Sequence, residues 1–258
     1  MFSSEDFPEL RSYLHNELFL QVLQESTLYQ QIWREASVLL AKGRWYDLVH
    51  TAIATSHLGK ILHQERTQGI LRDESEEQYQ EYRAILIPAI MLHDIGWSAI
   101  GENKHTQWSD QELRRGHMEV GAQLAEHVLS IVVYPPILTR RVVHLVAHHD
   151  DQYLGKDPET REEIIHRDAD ACFIFTFLSF WKDFTVRGGN LSPADFLEMK
   201  EKKWGKRYTQ TAQVITNEEI AARKGEVNGG KALSLERYEE LKRVTEALNK
   251  QIAEDLFT

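Results

Sequence analysis

A histidine and an aspartate stand side by side in the stretch IMLHDIG, where His93 and Asp94 follow an apolar run. Imidazole nitrogens and carboxylate oxygens are both common ligands for divalent metal ions. Adjacent residues on a helix are separated by about 100°, so a cation at the rim between the two side chains can contact both. A carboxylate in apolar surroundings needs a partner or a metal. The pair indicates a metal site, with a helix cap at Asp94 as the alternative.

Histidine is unusually frequent in this chain, with 12 among 258 residues. His50 lies on the apolar face of a predicted helix, and His57 lies on the same face two turns further along. Two turns correspond to about 10 Å along the helix axis, so at most one of the two can join a compact cluster. The other is then a structural histidine.

Further candidates occupy three later helices. His117 opens a helix whose inward stripe includes Gly121, which permits close approach of a neighbour. The apolar stripe of the next helix leads to His149 and favours it over His148 as the inward-facing residue. Asp168 and Asp170 begin the most apolar segment of the chain, and periodicity does not choose between them. Either acid could instead offset the helix dipole.

Each of these residues alone suits a structural role as well as a functional one. Together they place inward-facing His or Asp residues on five successive predicted helices. Burying so many polar groups in one region is costly unless a cation satisfies them. Imidazole and carboxylate donors without thiolate suit Fe, Mn, Co, Zn or Mg. The single cysteine, Cys172, excludes an internal disulfide and a Cys-rich zinc site.

Helical spacing dominates the elements that must position these residues, and no convincing pair of strands is visible. The predicted helices up to residue 185 span 10–23, 28–40, 46–63, 79–93, 117–132, 139–149 and 164–184. Polar loops are predicted at 98–116 and 150–160. The first loop connects two ligand-bearing elements, which makes it a candidate for shaping access to the site.

Beyond residue 185 the chain is more charged and has fewer bulky apolar residues. Helices are predicted from residue 192, over 210–224 and over 234–257, with a turn at 225–230. We predict an all-α fold with three parts: N-terminal helices (1–43), a metal-binding helical domain (44–185) and a helical extension (186–258). We expect the last helix to pack on the core, and a homodimer is a further expectation.

The formal net charge of −10 argues against a nucleic-acid polymer as partner, because phosphate backbones require clustered Lys and Arg. A small anion can still bind in a local basic pocket. The N-terminal residues lack the basic and apolar regions of a signal peptide. The longest apolar runs, of about eight residues, are far shorter than a membrane span. We therefore expect a cytoplasmic protein that acts on a small molecule, without membrane contact.

The ordered set of His50, His93-Asp94 and an aspartate in the Ala-Asp pair at 169–170 resembles the signature of the HD-domain superfamily of metal-dependent phosphohydrolases. The segments DLVHTAIA, IPAIMLHDIGW, HMEVGAQLAEHVL, VAHHD and RDADA each resemble family segments, and together they cover about residues 44–184. The resemblance implies that His50, His93, Asp94 and Asp170 bind one metal ion. The family places its last ligand in the Ala-Asp pair, which favours Asp170 over Asp168.

The resemblance also implies a second ion, so that one or two divalent cations are expected. His117 and His149 match the extra histidines of two-metal members, in which the aspartate of the HD pair, here Asp94, bridges both ions and acts in catalysis. His57, His148 and Asp168 are the alternate ligands. The gap from His50 to His93 is rather long for the family, and no nucleotide-selective motif is visible.

The implied activity is hydrolysis of a small phosphate ester, with a nucleotide as the favoured substrate, by metal-activated water. Basic residues close to the ligands in sequence are candidates for binding the phosphate: Lys104, Arg114, Arg115 and Arg167. One alternative is a diiron HD-type oxygenase that uses the same six ligands on a polyol or phosphonate. Another is a non-catalytic ligand-binding module, against which the presence of every ligand position counts.

Overall fold

The computed structural model describes residues 16–100, 110–229 and 231–254. Within these ranges the chain forms eleven α-helices and three short 3₁₀-helices, and no strand is present there. The α-helices are α1 Glu17–Gln24, α2 Thr27–Lys42, α3 Asp47–Gln68, α4 Glu76–Leu92, α5 Gln111–Ile131, α6 Pro136–His148, α7 Arg161–Ala171, α8 Phe177–Arg187, α9 Pro193–Trp204, α10 Gln210–Gly229 and α11 Lys231–Glu254. The predicted all-α fold is confirmed.

Helices α3 and α4 lie at the centre of the bundle. The second half of α4, residues 85–92, is completely buried, and His93 follows directly at its C-terminal end. Helix α4 begins with a capping box formed by Ser75 and Gln78. Pro88 lies inside the helix, where packing on every side compensates for the backbone hydrogen bond that proline cannot donate. This buried helix therefore delivers the His-Asp pair into the interior of the protein.

The predicted loop at 98–116 is wrong at its C-terminal end, because α5 already begins at Gln111. The Asp110 side chain caps this helix by accepting hydrogen bonds from the backbone N–H groups of Glu112 and Leu113. Gln111 and Glu112, which open the helix, are exposed to solvent, so this stretch is polar and resembles a loop. Residues 10–15, 101–109 and 255–257 of the predicted elements lie outside the described residues.

The single helix predicted at 164–184 is also wrong, because the segment divides into α7, a 3₁₀-helix at Cys172–Phe175 and α8. Thr176 has an extended backbone, with φ −61° and ψ 158°, and its Oγ1 donates to the Phe173 carbonyl over 2.8 Å. A segment that is apolar all round has no period in which a break can show. The break lets α8 depart from α7 in a new direction.

The turn predicted at 225–230 is contradicted over 225–229, since α10 continues to Gly229. Glycine within a helix costs about 1 kcal/mol relative to alanine, which tertiary packing overrides here. Helix α11 packs on the core as expected, with Tyr238, Leu241 and Leu248 buried and Asn249 Nδ2 donating to the Trp45 carbonyl over 2.8 Å. The three-part division and the homodimer stay predictions.

Membrane-spanning helices are absent from the part of the chain that the structure describes, because none there has both the length and the apolar character that a bilayer requires.

Candidate metal centre

Six side chains from five regions of the chain converge at one place in the bundle. They are His50 on α3, His93 and Asp94 after α4, His117 on α5, His149 after α6 and Asp170 on α7. On one side of the cluster, the Nε2 atoms of His50 and His93 lie 2.9 Å apart. Asp170 Oδ1 lies 3.1 Å from the first of these nitrogens and 3.5 Å from the second. Two imidazole nitrogens and one carboxylate oxygen thus surround one point.

The other side of the cluster has the same form. His117 Nε2 and His149 Nε2 lie 3.1 Å apart, and Asp94 Oδ1 lies 3.8 and 3.7 Å from these two nitrogens. The second oxygen of Asp94, Oδ2, lies 3.2 Å from His50 Nε2 and 3.3 Å from His93 Nε2. Asp94 therefore presents one oxygen to each histidine pair, which is the arrangement of a bridging carboxylate.

Backbone hydrogen bonds set the tautomers of two of these rings. The Nδ1 atoms of His93 and His149 lie 2.8 Å from the carbonyl oxygens of Ile90 and Val146. Each Nδ1 therefore carries the proton and donates it, which leaves a lone pair on Nε2 pointing into the cluster. Because each lone pair faces a second imidazole nitrogen at about 3 Å, a cation between the rings is favourable. The donor set fits two divalent metal ions.

The protonation states of the acids also suit metal binding. Burial opposes ionisation of Asp94, but Arg44 and His93 outweigh it and hold the pKa of this carboxyl well below its ordinary value. Burial likewise opposes ionisation of Asp170, and the neighbouring imidazoles of His50 and His93 outweigh it and lower the pKa of this carboxyl well below the usual range. Metal ligands must be deprotonated, and both carboxylates meet this requirement at neutral pH.

Comparison with known proteins agrees with this geometry. Residues 52–173 match the family model of the HD domain. The resemblance to the HD domain that the sequence predicted is confirmed over these residues. No curated protein and no solved structure matches the chain. The matched range begins just after His50 and ends just after Asp170, so it contains five of the six converging side chains.

The position of Asp94 between the two histidine pairs is held by two hydrogen-bond donors. Arg44 Nη2 donates to Asp94 Oδ2 over 2.6 Å, and Trp97 Nε1 donates to Oδ1 over 3.0 Å. Arg44 is itself held by Asp47, which accepts from its Nε and from its backbone N–H, each over 2.7 Å. Sequence reasoning missed Arg44, Asp47 and Trp97, although Asp47 and Trp97 lie within segments that resemble the family.

The structure places the three alternate ligands away from the centre. Asp168 Oδ2 accepts from the backbone N–H groups of Tyr208 and Thr209 over 2.9 and 2.7 Å, so this acid fixes the chain before α10. His148 is exposed and its Nδ1 lies 3.0 Å from Asp151 Oδ2. His57 lies two turns along α3, where burial lowers its pKa to about 4. The geometry thus favours Asp170, His149 and His50.

Only one of the four basic candidates reaches the HD site within the described residues. Arg114 is buried, forms an ion pair with Asp150 and lies with its Cζ 3.9 Å from the centroid of the Tyr153 ring. Arg115 is exposed. Arg167 donates to Gln152 Oε1 over 2.5 Å and lies over the ring of Tyr208. It does not line the pocket that opens beside Asp94. Lys104 lies outside the described residues.

A pocket with an empty volume of about 720 Å³ opens beside His50, Asp94 and Asp170. Its cationic lining residues are Arg44, Arg114, Lys182, Arg187 and Lys200. Three of these come from α8 and α9, which follow the HD match in sequence. Sequence reasoning missed them because it ranked basic residues by proximity to the ligands along the chain. No pattern in the sequence shows that α8 and α9 return to the site.

The two adjacent histidines after α6 offer a direct test of the second ion site. We expect His149→Gln to lower affinity for one of two bound metal ions by at least about 10- to 100-fold, because an amide cannot replace the imidazole nitrogen. The matched variant His148→Gln should keep the metal content of the wild type. Elemental analysis of protein purified without chelators, together with calorimetric metal titration, measures both. Equal metal loss in the two variants would contradict the assignment.

Proposed function

We propose that this HD domain hydrolyses a small phosphate ester by metal-activated water, with nucleotides as the favoured substrates. The observation that carries the proposal is the position of Asp94, which belongs both to the six-residue ligand cluster and to the cation-lined pocket. A phosphate that enters this pocket meets positive side chains and the metal centre together. The pocket gathers five Arg and Lys side chains in a chain of net charge −10.

The side chains divide into two ligand groups. His50, His93 and Asp170 would hold one cation, His117 and His149 would hold the other, and Asp94 would contribute an oxygen to each. Divalent cations bound there lower the pKa of a water molecule and polarise the phosphoryl group. Arg44 and Trp97 keep the two oxygens of Asp94 in fixed directions. Preorganised ligands of this kind avoid reorganisation during the reaction.

The residues of the pocket wall suit the remaining parts of a substrate. Arg114, oriented by Asp150, supplies positive charge near the phosphate and offsets the charge that develops during hydrolysis. Aromatic side chains also line the pocket: Tyr46, Tyr153, Phe173 and Trp204. Flat apolar surfaces of this kind favour a substrate with an aromatic or apolar portion, such as a nucleoside.

A substrate screen tests the proposal. Protein reconstituted with Mn, Fe, Co, Ni or Mg is assayed for release of phosphate from nucleotides and of p-nitrophenolate from p-nitrophenyl phosphate and bis(p-nitrophenyl) phosphate. We expect turnover with at least one metal, at a rate on the order of 1 to 10³ s⁻¹ on a good substrate. No hydrolysis with any metal would overturn the proposal. Mixed-valent iron with oxygen uptake on a polyol or phosphonate would assign an oxygenase instead, and full metal occupancy without turnover would assign a binding module.

A further inference from the structure

A buried lysine, Lys200, and a half-buried lysine, Lys182, share one carboxylate in the wall of the candidate active-site pocket. Lys200 is 3% exposed, and its Nζ donates to Asp183 Oδ2 over 2.8 Å and to the Ile174 carbonyl over 2.9 Å. Lys182 Nζ lies 3.6 Å from Asp183 Oδ1. All three side chains line the pocket. A buried ammonium group is costly unless it is paired, and one carboxylate balances only one of these two charges.

The two lysines differ in how they are held. Lys200 has two hydrogen-bond acceptors at good distance, which is sufficient for a structural ion pair. Lys182 is at a longer distance from the shared carboxylate, and its Nζ lies 3.8 Å from the centroid of the Tyr46 ring. A cation–π contact offsets part of the desolvation but supplies no counter-charge. Lys182 is therefore the side chain of the pair with capacity for a further anion.

The ring of Tyr46 also places Lys182 relative to the metal centre. Arg44 Cζ lies 4.8 Å from the centroid of the same ring, and Arg44 Nη2 donates to Asp94. Both cations thus contact the same aromatic ring, and Arg44 is the one of the two that donates to Asp94. Lys182 lines the same pocket and contacts Tyr46 and Asp183. A group bound at Lys182 is consequently a different part of the ligand from a phosphate at the metal centre.

The titration behaviour agrees with this charge imbalance. Burial lowers the pKa of Lys182, and the neighbouring cations Arg44 and Arg187 lower it further, while the carboxylates of Asp183 and Asp47 oppose the shift. Burial also lowers the pKa of Lys200, against the effect of Asp183. A bound anion beside Lys182 would favour the charged form of this lysine.

We propose that Lys182, positioned by Asp183 and Lys200, binds a second anionic group of the substrate. The preferred substrate then carries a phosphate ester and, on the same molecule, a further phosphate or carboxylate. The inference rests on the proposed function for the identity of the first group. Because all three residues follow the matched range 52–173, the segment after the HD domain selects the substrate.

A matched pair of ligands tests the subsite. Glycerol 3-phosphate and 3-phosphoglycerate share a phosphate ester on a three-carbon chain, and only the second carries a carboxylate. We expect the metal-loaded protein to bind 3-phosphoglycerate at least about tenfold more tightly, as measured by isothermal titration calorimetry, because a charge-assisted hydrogen bond is worth about that factor. The same ratio is expected in kcat/KM where both esters are hydrolysed.

Variants then locate the preference. Lys182→Met should abolish the tenfold preference for 3-phosphoglycerate, so that both esters bind with about equal affinity. Its affinity for glycerol 3-phosphate should stay within about twofold of the wild type. Lys182→Arg should retain a preference, and Arg115→Met, which removes an exposed cation outside the pocket, should leave it unchanged. Lys182→Met leaves the Lys200–Asp183 ion pair intact, so the variant should fold, and its thermal denaturation midpoint verifies this.

The outcomes separate the subsite from the reaction. A wild-type protein that binds neither ester, or binds both equally, overturns the subsite. Equal weakening of both esters by Lys182→Met also overturns it, since Lys182 would then act on the shared phosphate or on the fold. A binding preference that depends on Lys182, without hydrolysis of any phosphate ester, supports the subsite and counts against the proposed function alone.

Discussion

Asp94→Asn is expected to lower kcat for phosphate-ester hydrolysis by about 10³-fold and to reduce the metal content of the protein. Each oxygen of this carboxylate lies close to candidate metal-binding histidines and accepts one hydrogen bond. Oδ2 faces His50 and His93 and accepts from Arg44, and Oδ1 faces His149 and accepts from Trp97. An asparagine has one oxygen and one NH₂ group. Whichever way the amide is turned, the NH₂ group faces one histidine pair and cannot bind a cation there. One or both metal sites are then lost.

Asp151→Asn is the matched control for this experiment. Like that of Asp94, the side chain of Asp151 contacts a histidine. Its partners are His148 and Lys156, and this group lies near the surface, away from the six-residue cluster. We expect its kcat and metal content to stay within about twofold of the wild type. Metal analysis and initial rates are measured on all three proteins, with circular dichroism to verify folding. An Asp94→Asn variant with full metal content and wild-type kcat would remove Asp94 from the proposed mechanism.

Gly96→Ala should destabilise the protein by about 4 kcal/mol or more. A Cβ at Gly96 would lie 1.9 Å from the His117 carbonyl oxygen and 2.7 Å from the Gly121 nitrogen. Both atoms belong to the backbone of α5, so no side-chain rotation relieves the clash. Helix α5 must move, and His117 moves with it. The ring of His117 stacks on Trp97, with the ring centroids 4.2 Å apart. The variant is therefore expected to lose metal affinity as well as stability.

Gly116→Ala provides the control, because a Cβ there would have no neighbour within 4 Å. Alanine is favoured over glycine inside a helix, so this change should be neutral or should stabilise the protein by about 0.5–1 kcal/mol. Urea denaturation of both variants measures the difference. Similar stability for the two would show that the 3₁₀-helix at Ile95–Ala99 does not need its close approach to α5. The sequence suggested this role for Gly121, but a Cβ at Gly121 would make only ordinary contacts, 3.4 Å at the closest.

Helical periodicity accounts for much of what was predictable. The apolar stripe of α6 pointed to His149, and the structure places His149 in the cluster and His148 on the surface. Stripes of this kind follow from the period of the helix, which decides which face is buried. Periodicity could not choose between Asp168 and Asp170, because their helix is apolar on every side, and only the resemblance to the family favoured Asp170.

The sequence alone determined the helical fold class, the donor types of the site and the faces on which they lie, because these depend on local spacing and composition. Tertiary structure decided which atoms meet: the two oxygens of Asp94 against two histidine pairs, Arg44 against Asp94, and the lysines of α8 and α9 against the pocket. A helical pattern states that a face is buried but contains no information about the partner that buries it. Contacts between residues far apart in the chain depend on how whole helices pack, and on breaks such as Thr176 that redirect them.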